Sequence, residues 1–151
     1  RSEAIIALIY TLGIWFGPWI VSERELSVSI AAAFALYFNA AFANLLVFSL
    51  FERHIDAAES PNTLVLALGE TATVRLLWGL LVLSAAAGAV LLIRAPIIAL
   101  VLLAGASTPL LVYIRQDFFA REERYRAVCD GVFVVYGLLP LWVWVSRIST
   151  V

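Results

Sequence analysis

Three acids in this chain are spaced so that they could act together. Glu52, Asp56 and Glu59 fall at i, i+4 and i+7 in a run that begins apolar and passes into acid without a break. On a helix this spacing puts all three carboxylates on one face, with Ser49 one turn earlier on the same face and Arg53 and His54 pointing elsewhere. A stripe of carboxylates at the end of a membrane helix is costly unless a divalent ion, an arginine or a polar substrate shares it. Mg²⁺ takes carboxylate and phosphate oxygens together and keeps some of its waters. Glu52 and Asp56, one turn apart, are therefore the candidate metal ligands, with a diphosphate as the candidate partner of the ion. A solvated helix end, paired locally with arginine, is the competing reading.

A second charged patch is Arg121-Glu122-Glu123-Arg124-Tyr125-Arg126. Arginine binds phosphate through a planar fork of donors, so Arg121, Arg124 and Arg126 are candidate diphosphate ligands. Topological anchoring would explain the same charges. Asp130 follows at i+4 from Arg126 and suits the first turn of a helix, so an Arg126–Asp130 pair is expected. Asn39 and Asn44 lie within an apolar stretch. Asparagines at that depth usually bond neighbouring helices, and Asn44 is also a candidate for a polar site. His54, the one histidine, lies off the acidic face and reads as solvated or near a headgroup. Cys129, the one cysteine, excludes an internal disulfide and reads as a small buried apolar residue. No Ser/His/Asp or Cys/His arrangement and no glycine-rich phosphate loop is present.

Composition sets the surroundings of these groups. The 151 residues are 64% hydrophobic, with a mean hydropathy of +0.99, against about 45–50% apolar residues in soluble domains. No soluble core could hide that much apolar surface, so the class is an all-α, polytopic integral membrane protein. The net charge of −1 gives no reason to expect nucleic acid as a partner. Lysine and methionine are both absent. Without methionine, residue 1 is not an initiator, and the chain is expected to be a fragment or a processed product.

Five stretches are long enough to cross a bilayer, each needing roughly 20 mostly apolar residues. They are 4–21, 27–56 (membrane part ending near Phe51), 74–93, 96–114 and 128–146. Pro96 is well placed at a helix start. Residues 105–109, Gly-Ala-Ser-Thr-Pro, should pack closely and kink. Trp142, Trp144 and Arg147 have the character of an interfacial anchor. The whole chain, 1–151, reads as one domain. Five helices put the N-terminus and the 57–73 and 115–126 connections on one side, with seven arginines there: Arg1, Arg53, Arg75, Arg115, Arg121, Arg124 and Arg126. Arg24, Arg94 and Arg147 lie opposite. The positive-inside rule then makes the first side, with the N-terminus, cytoplasmic. An inner, cytoplasmic membrane of a bacterium is the expected location.

Within 44–69 the run Ser49-x-x-Glu52-x-x-x-Asp56 is followed by Asn62-Thr63-Leu64 and Leu68-Gly69. It resembles the second aspartate-rich motif of the UbiA-type intramembrane prenyltransferases, D-x-x-D-x-x-x-D with Thr-Leu and Leu-Gly beyond it. Ser49 and Glu52 stand where the family has aspartates, and Asp56 is identical. The resemblance implies a nine-helix enzyme of which this chain supplies the last five helices. It also implies Mg²⁺ held by Glu52 and Asp56, a prenyl diphosphate, a lipophilic acceptor, and a first motif carried by further N-terminal helices or a partner subunit. A non-enzymatic membrane scaffold or subunit, and half of a transporter with Asn39, Asn44 and Asp56 along its path, are the alternatives.

Overall fold

The computed structural model describes residues 2–22, 27–59 and 63–148, without the side chains of residues 2, 16–22, 55, 56, 59 and 139–148. These residues form helices and short connections. In order, the helices are α1 (Ser2–Ser22), α2 (Val28–Phe51), α3 (Arg53–Glu59), α4 (Leu64–Leu68), α5 (Glu70–Leu92), α6 (Pro96–Ile114), α7 (Gln116–Phe119), a 3₁₀ turn (Arg121–Glu123) and α8 (Arg124–Ile148). Three of them, α2, α5 and α6, are long and apolar enough to cross a membrane. The tryptophans and arginine of the expected anchor, Trp142, Trp144 and Arg147, have side chains outside the described residues.

Local chemistry sets several helix ends. Ser27, in extended conformation, accepts from the Ile30 amide at 3.2 Å and starts α2. Thr63 does the same for α4 through the Leu66 amide at 3.4 Å. Gly69 joins α4 to α5 at φ +81°, a conformation that costs a side chain but not glycine. Its carbonyl accepts from both the amide (3.1 Å) and the hydroxyl (2.9 Å) of Thr73. Pro96 opens α6, where its missing N–H is harmless.

The bundle is built around α2, which packs against α1, α5 and α6. Buried alanines on α2, among them Ala33, Ala40, Ala41 and Ala43, let neighbours approach closely. Two apolar clusters follow from this. Leu46, Val47, Leu77, Val112 and Cys129 are in one, and Leu36, Tyr37, Leu102, Ala106 and Tyr136 are in the other. The burial of Cys129 fits its reading as a small core residue. Outward positions stay apolar, as on Val82, Leu83, Leu100 and Leu111, which suits a surface facing lipid rather than water.

Asn39 donates from Nδ2 to Ser84 Oγ at 3.1 Å and joins α2 to α5, the interhelical bond expected of a membrane asparagine. In α6, Gly105 lies directly against the Tyr136 ring, and the helix is unbroken through Pro109. The hydroxyls of Ser107 and Thr108 both donate to Ala104 O at 2.9 Å.

Two expectations change. The helix through 27–56 is not continuous, because α2 ends at Phe51 and Glu52 leaves helical geometry at φ −95°, ψ 5° before α3 begins. The third and fifth long helices also start earlier than expected, at Glu70 and Arg124. In both cases polar residues at the apolar boundary make their own tertiary bonds and extend the helix.

Candidate functional site

Side-chain bonds join the start of α1 to the end of α2 and to α4, the end of α2 to the start of α8, and the start of α5 to α3 and the end of α6. Glu52 is the centre of this polar end. Its Oε1 accepts from the Tyr125 hydroxyl at 2.9 Å, from Arg126 Nε at 3.0 Å and from Arg126 Nη2 at 2.6 Å. Phe51 stacks flat on Tyr125 at 4.4 Å and Phe48 meets the same ring edge-on at 5.6 Å. Tyr125 is thereby buried, and burial first, then its bond to Glu52, push its phenol pKa up. The same carboxylate raises the pKa of Arg126, which stays charged.

Arg126 also pairs with Glu123 at 3.3 Å, and Arg124 pairs with Glu122 at 3.1 Å. The Arg124 guanidinium lies over the Phe118 ring, 4.9 Å from its centroid. The turn that delivers these groups is strained: Glu122 and Glu123 both have left-handed φ, 55° and 54°. Such conformations persist where the surroundings hold them, and here each glutamate is held by an arginine of α8. Arg121 is exposed and makes no ion pair among the described residues.

A second cluster lies beside the first. Arg53 is bonded to Glu70, whose other oxygen accepts from the Tyr113 hydroxyl at 2.8 Å. Together with His54, Gln116 and Asp117 these residues line a cleft of about 220 Å³. A third cluster is built on Glu3, buried at the start of α1. Its Oε1 accepts from Ser49 Oγ at 3.3 Å and from the Leu64 amide at 2.7 Å.

The candidates from the sequence are therefore divided. Glu52 faces α8 and the arginine patch. Ser49 turns to Glu3 instead, so the two groups that spacing put on one face bond to different helices. Asp56 lies in α3, but its side chain is outside the described residues, as is that of Glu59. Asn44 and Asp130 line a different cleft, between α1, α2 and α8. The expected Arg126–Asp130 pair is absent, since Arg126 reaches Glu52 and Glu123. Among the described residues no three His, Cys, Asp or Glu side chains converge as a metal site.

Tyr125, Tyr113, Arg53, Glu70 and Glu3 escape a reading by spacing. Glu3 and Glu70 are single acids at the edges of apolar runs, and that position was their one signal. The tyrosines act through hydroxyls that their neighbours in sequence do not reveal. Compared with protein-family models, curated proteins and solved structures, the chain matches none.

Proposed function

We propose that this chain is a UbiA-like intramembrane prenyltransferase unit. It would bind an isoprenyl diphosphate at its polar end, and the enzyme would pass the prenyl group to a lipophilic acceptor. One observation carries the reading. Glu52, at the end of α2, meets Arg126, at the start of α8, so one acid of the motif and one arginine of the patch share a mouth although they are 74 positions apart. In this reading α1 and α8 cross the bilayer with α2, α5 and α6, and the arginine count places the shared mouth on the cytoplasmic side.

The chemistry assigned to the chain is electrostatic. Arg126 holds two donors on Glu52 and would offer them to a phosphate oxygen instead. Arg124, half-exposed beside Glu122, and exposed Arg121 would add charge to the same anion. Glu52 has donors on Oε1 alone among the described residues, so Oε2 remains for a cation. One carboxylate oxygen with phosphate oxygens and waters suits Mg²⁺, and Asp56 is the proposed second ligand. When bound, Mg²⁺ would neutralise charge gathering on the departing diphosphate. The aromatic rings at the end of α2 would shield the allylic cation from water.

A second reading has one specific observation in its favour. Three donors already satisfy Glu52 Oε1, as befits a latch that fixes α8 to α2 in a non-enzymatic subunit. Lysine separates the two readings, because anchoring and latching need charge whereas diphosphate recognition needs the planar fork. Arg124→Lys and Arg126→Lys are expected to express and insert like the parent. Each should bind a prenyl diphosphate roughly five- to a hundredfold more weakly in the intact protein. Because Arg126 is engaged with Glu52 and not with Asp130, its variant should not be silent. Parent-like diphosphate affinity in both variants would leave the latch as the better account.

A further inference from the structure

A cleft of about 240 Å³ opens between α1, α2 and α8, apart from the mouth built on Glu52. Two of its lining groups are acceptors that receive no protein donor among the described residues. The Oδ1 of Asn44 is buried without a hydrogen-bond partner, on a residue only 6% exposed. Asp130 is exposed and has no ion pair or hydrogen bond among the described residues. A buried unpaired amide oxygen is costly, and a carboxylate beside apolar surface favours a cation that can share it. Asn44 lies eight residues inside the Glu52 end of α2, on the order of 12 Å along the axis, so bulk water is a poor remedy.

The remaining walls show what kind of group belongs there. Tyr10, Phe48 and Phe133 bring aromatic rings, and Tyr10 meets Phe133 edge-on at 5.7 Å. Among the described residues no arginine or histidine lines the cleft. An anion would therefore find no cation to pair with and would face the Asp130 carboxylate. A neutral hydroxyl would satisfy Asn44 but leave the Asp130 charge uncompensated. A quaternary ammonium would balance the charge but has no N–H for Asn44. A primary ammonium answers all three features: charge for Asp130, a donor for the amide oxygen, and cation–π attraction from the rings. The volume is below the roughly 300–1,000 Å³ of pockets that enclose a drug-sized molecule. A head and a ring fit inside, and any longer tail runs out past the exposed side chains of Ile6 and Tyr10.

We propose that the Asn44–Asp130 cleft is a binding site for the ammonium head of a primary amine with an apolar body. The amine is either that of an ethanolamine lipid or a free amphiphile. The test uses the intact protein in phosphatidylcholine nanodiscs, with saturation-transfer NMR of benzylamine and benzyl alcohol. Saturable binding of benzylamine is expected, with benzyl alcohol at least about tenfold weaker, the scale of one hydrogen bond to a charged group. Asp130→Asn should weaken benzylamine by a similar factor, and Asn44→Leu should weaken it as well. If phosphatidylethanolamine mixed into the nanodisc competes with benzylamine, the natural occupant is the lipid headgroup. If binding is unchanged by that lipid, the occupant is a free amine. Equal binding of amine and alcohol, no saturable binding of benzylamine, or an Asp130→Asn variant that binds like the parent overturns the proposal. The comparison of amine with alcohol needs no variant, so it decides the matter even if a substituted protein fails to fold.

Discussion

Replacing Glu52 by alanine is expected to loosen the polar end of the bundle, with a lower unfolding midpoint in detergent. The change strips the acceptor from the Tyr125 hydroxyl and from two donors of Arg126 together. Tyr125 cannot turn to water, because it is 5% exposed and clasped by Phe51 and Phe48. A buried hydroxyl left without its partner costs about 1–3 kcal/mol, while the exposed Arg126 side of the bond is screened and adds little. At this chain length each kcal/mol lowers the midpoint by about 2–4 °C. Glu52→Gln keeps an oxygen for Tyr125 and should unfold close to the parent. Combining Glu52→Ala with Tyr125→Phe should cost less than the sum of the two changes, since both remove the same bond. A midpoint for Glu52→Ala equal to that of the parent would mean the bond contributes nothing to stability.

Gly105→Ala is expected to be about as damaging. A methyl at this position would lie 2.2 Å from the Tyr136 Oη and 2.5 Å from its Cζ. The ring has little room to retreat: it packs against Tyr37 at 5.3 Å and Phe133 at 5.9 Å, and its hydroxyl donates to Leu102 O at 2.7 Å. Overpacking of this kind costs about 1–3 kcal/mol, and a lost hydrogen bond about 1 kcal/mol more. Helix propensity favours alanine by about 1 kcal/mol, too little to change the sign. Gly79→Ala is the matched control, because a methyl there meets nothing within 4 Å and should be neutral or slightly stabilising. Equal midpoints for the two variants would show that Tyr136 moves aside at no cost.

The sequence was most legible where one residue's chemistry decides locally. Pro96 fixed the start of α6, and hydropathy carried that helix to Ile114 as expected. Asn39 could be read as an interhelical donor, though not its partner Ser84 on α5. The break at Glu52 was hidden, because Phe51-Glu52-Arg53 contains no glycine or proline. There the helix yields at a residue whose carboxylate is bonded to side chains more than 70 positions away. The Arg126–Asp130 expectation failed for a related reason. Base before acid at i, i+4 is the weaker order on a helix, and Glu52 receives two guanidinium donors at once. Spacing placed Ser49 with Glu52 on one face, but the structure commits Ser49 to Glu3, a contact between two helices that no local pattern encodes.

The most direct test of the proposed function is the binding of a prenyl diphosphate to the intact protein in nanodiscs, first with Mg²⁺ and then with a chelator. If the mouth between Glu52 and Arg126 receives a metal-bound diphosphate, affinity should fall by about tenfold or more on chelation. Glu52→Gln, which keeps the acceptor for Tyr125 but not the charge, should bind weakly with or without the ion. Diphosphate binding that ignores Mg²⁺, or a Mg²⁺ dependence that survives in Glu52→Gln, would contradict the proposal.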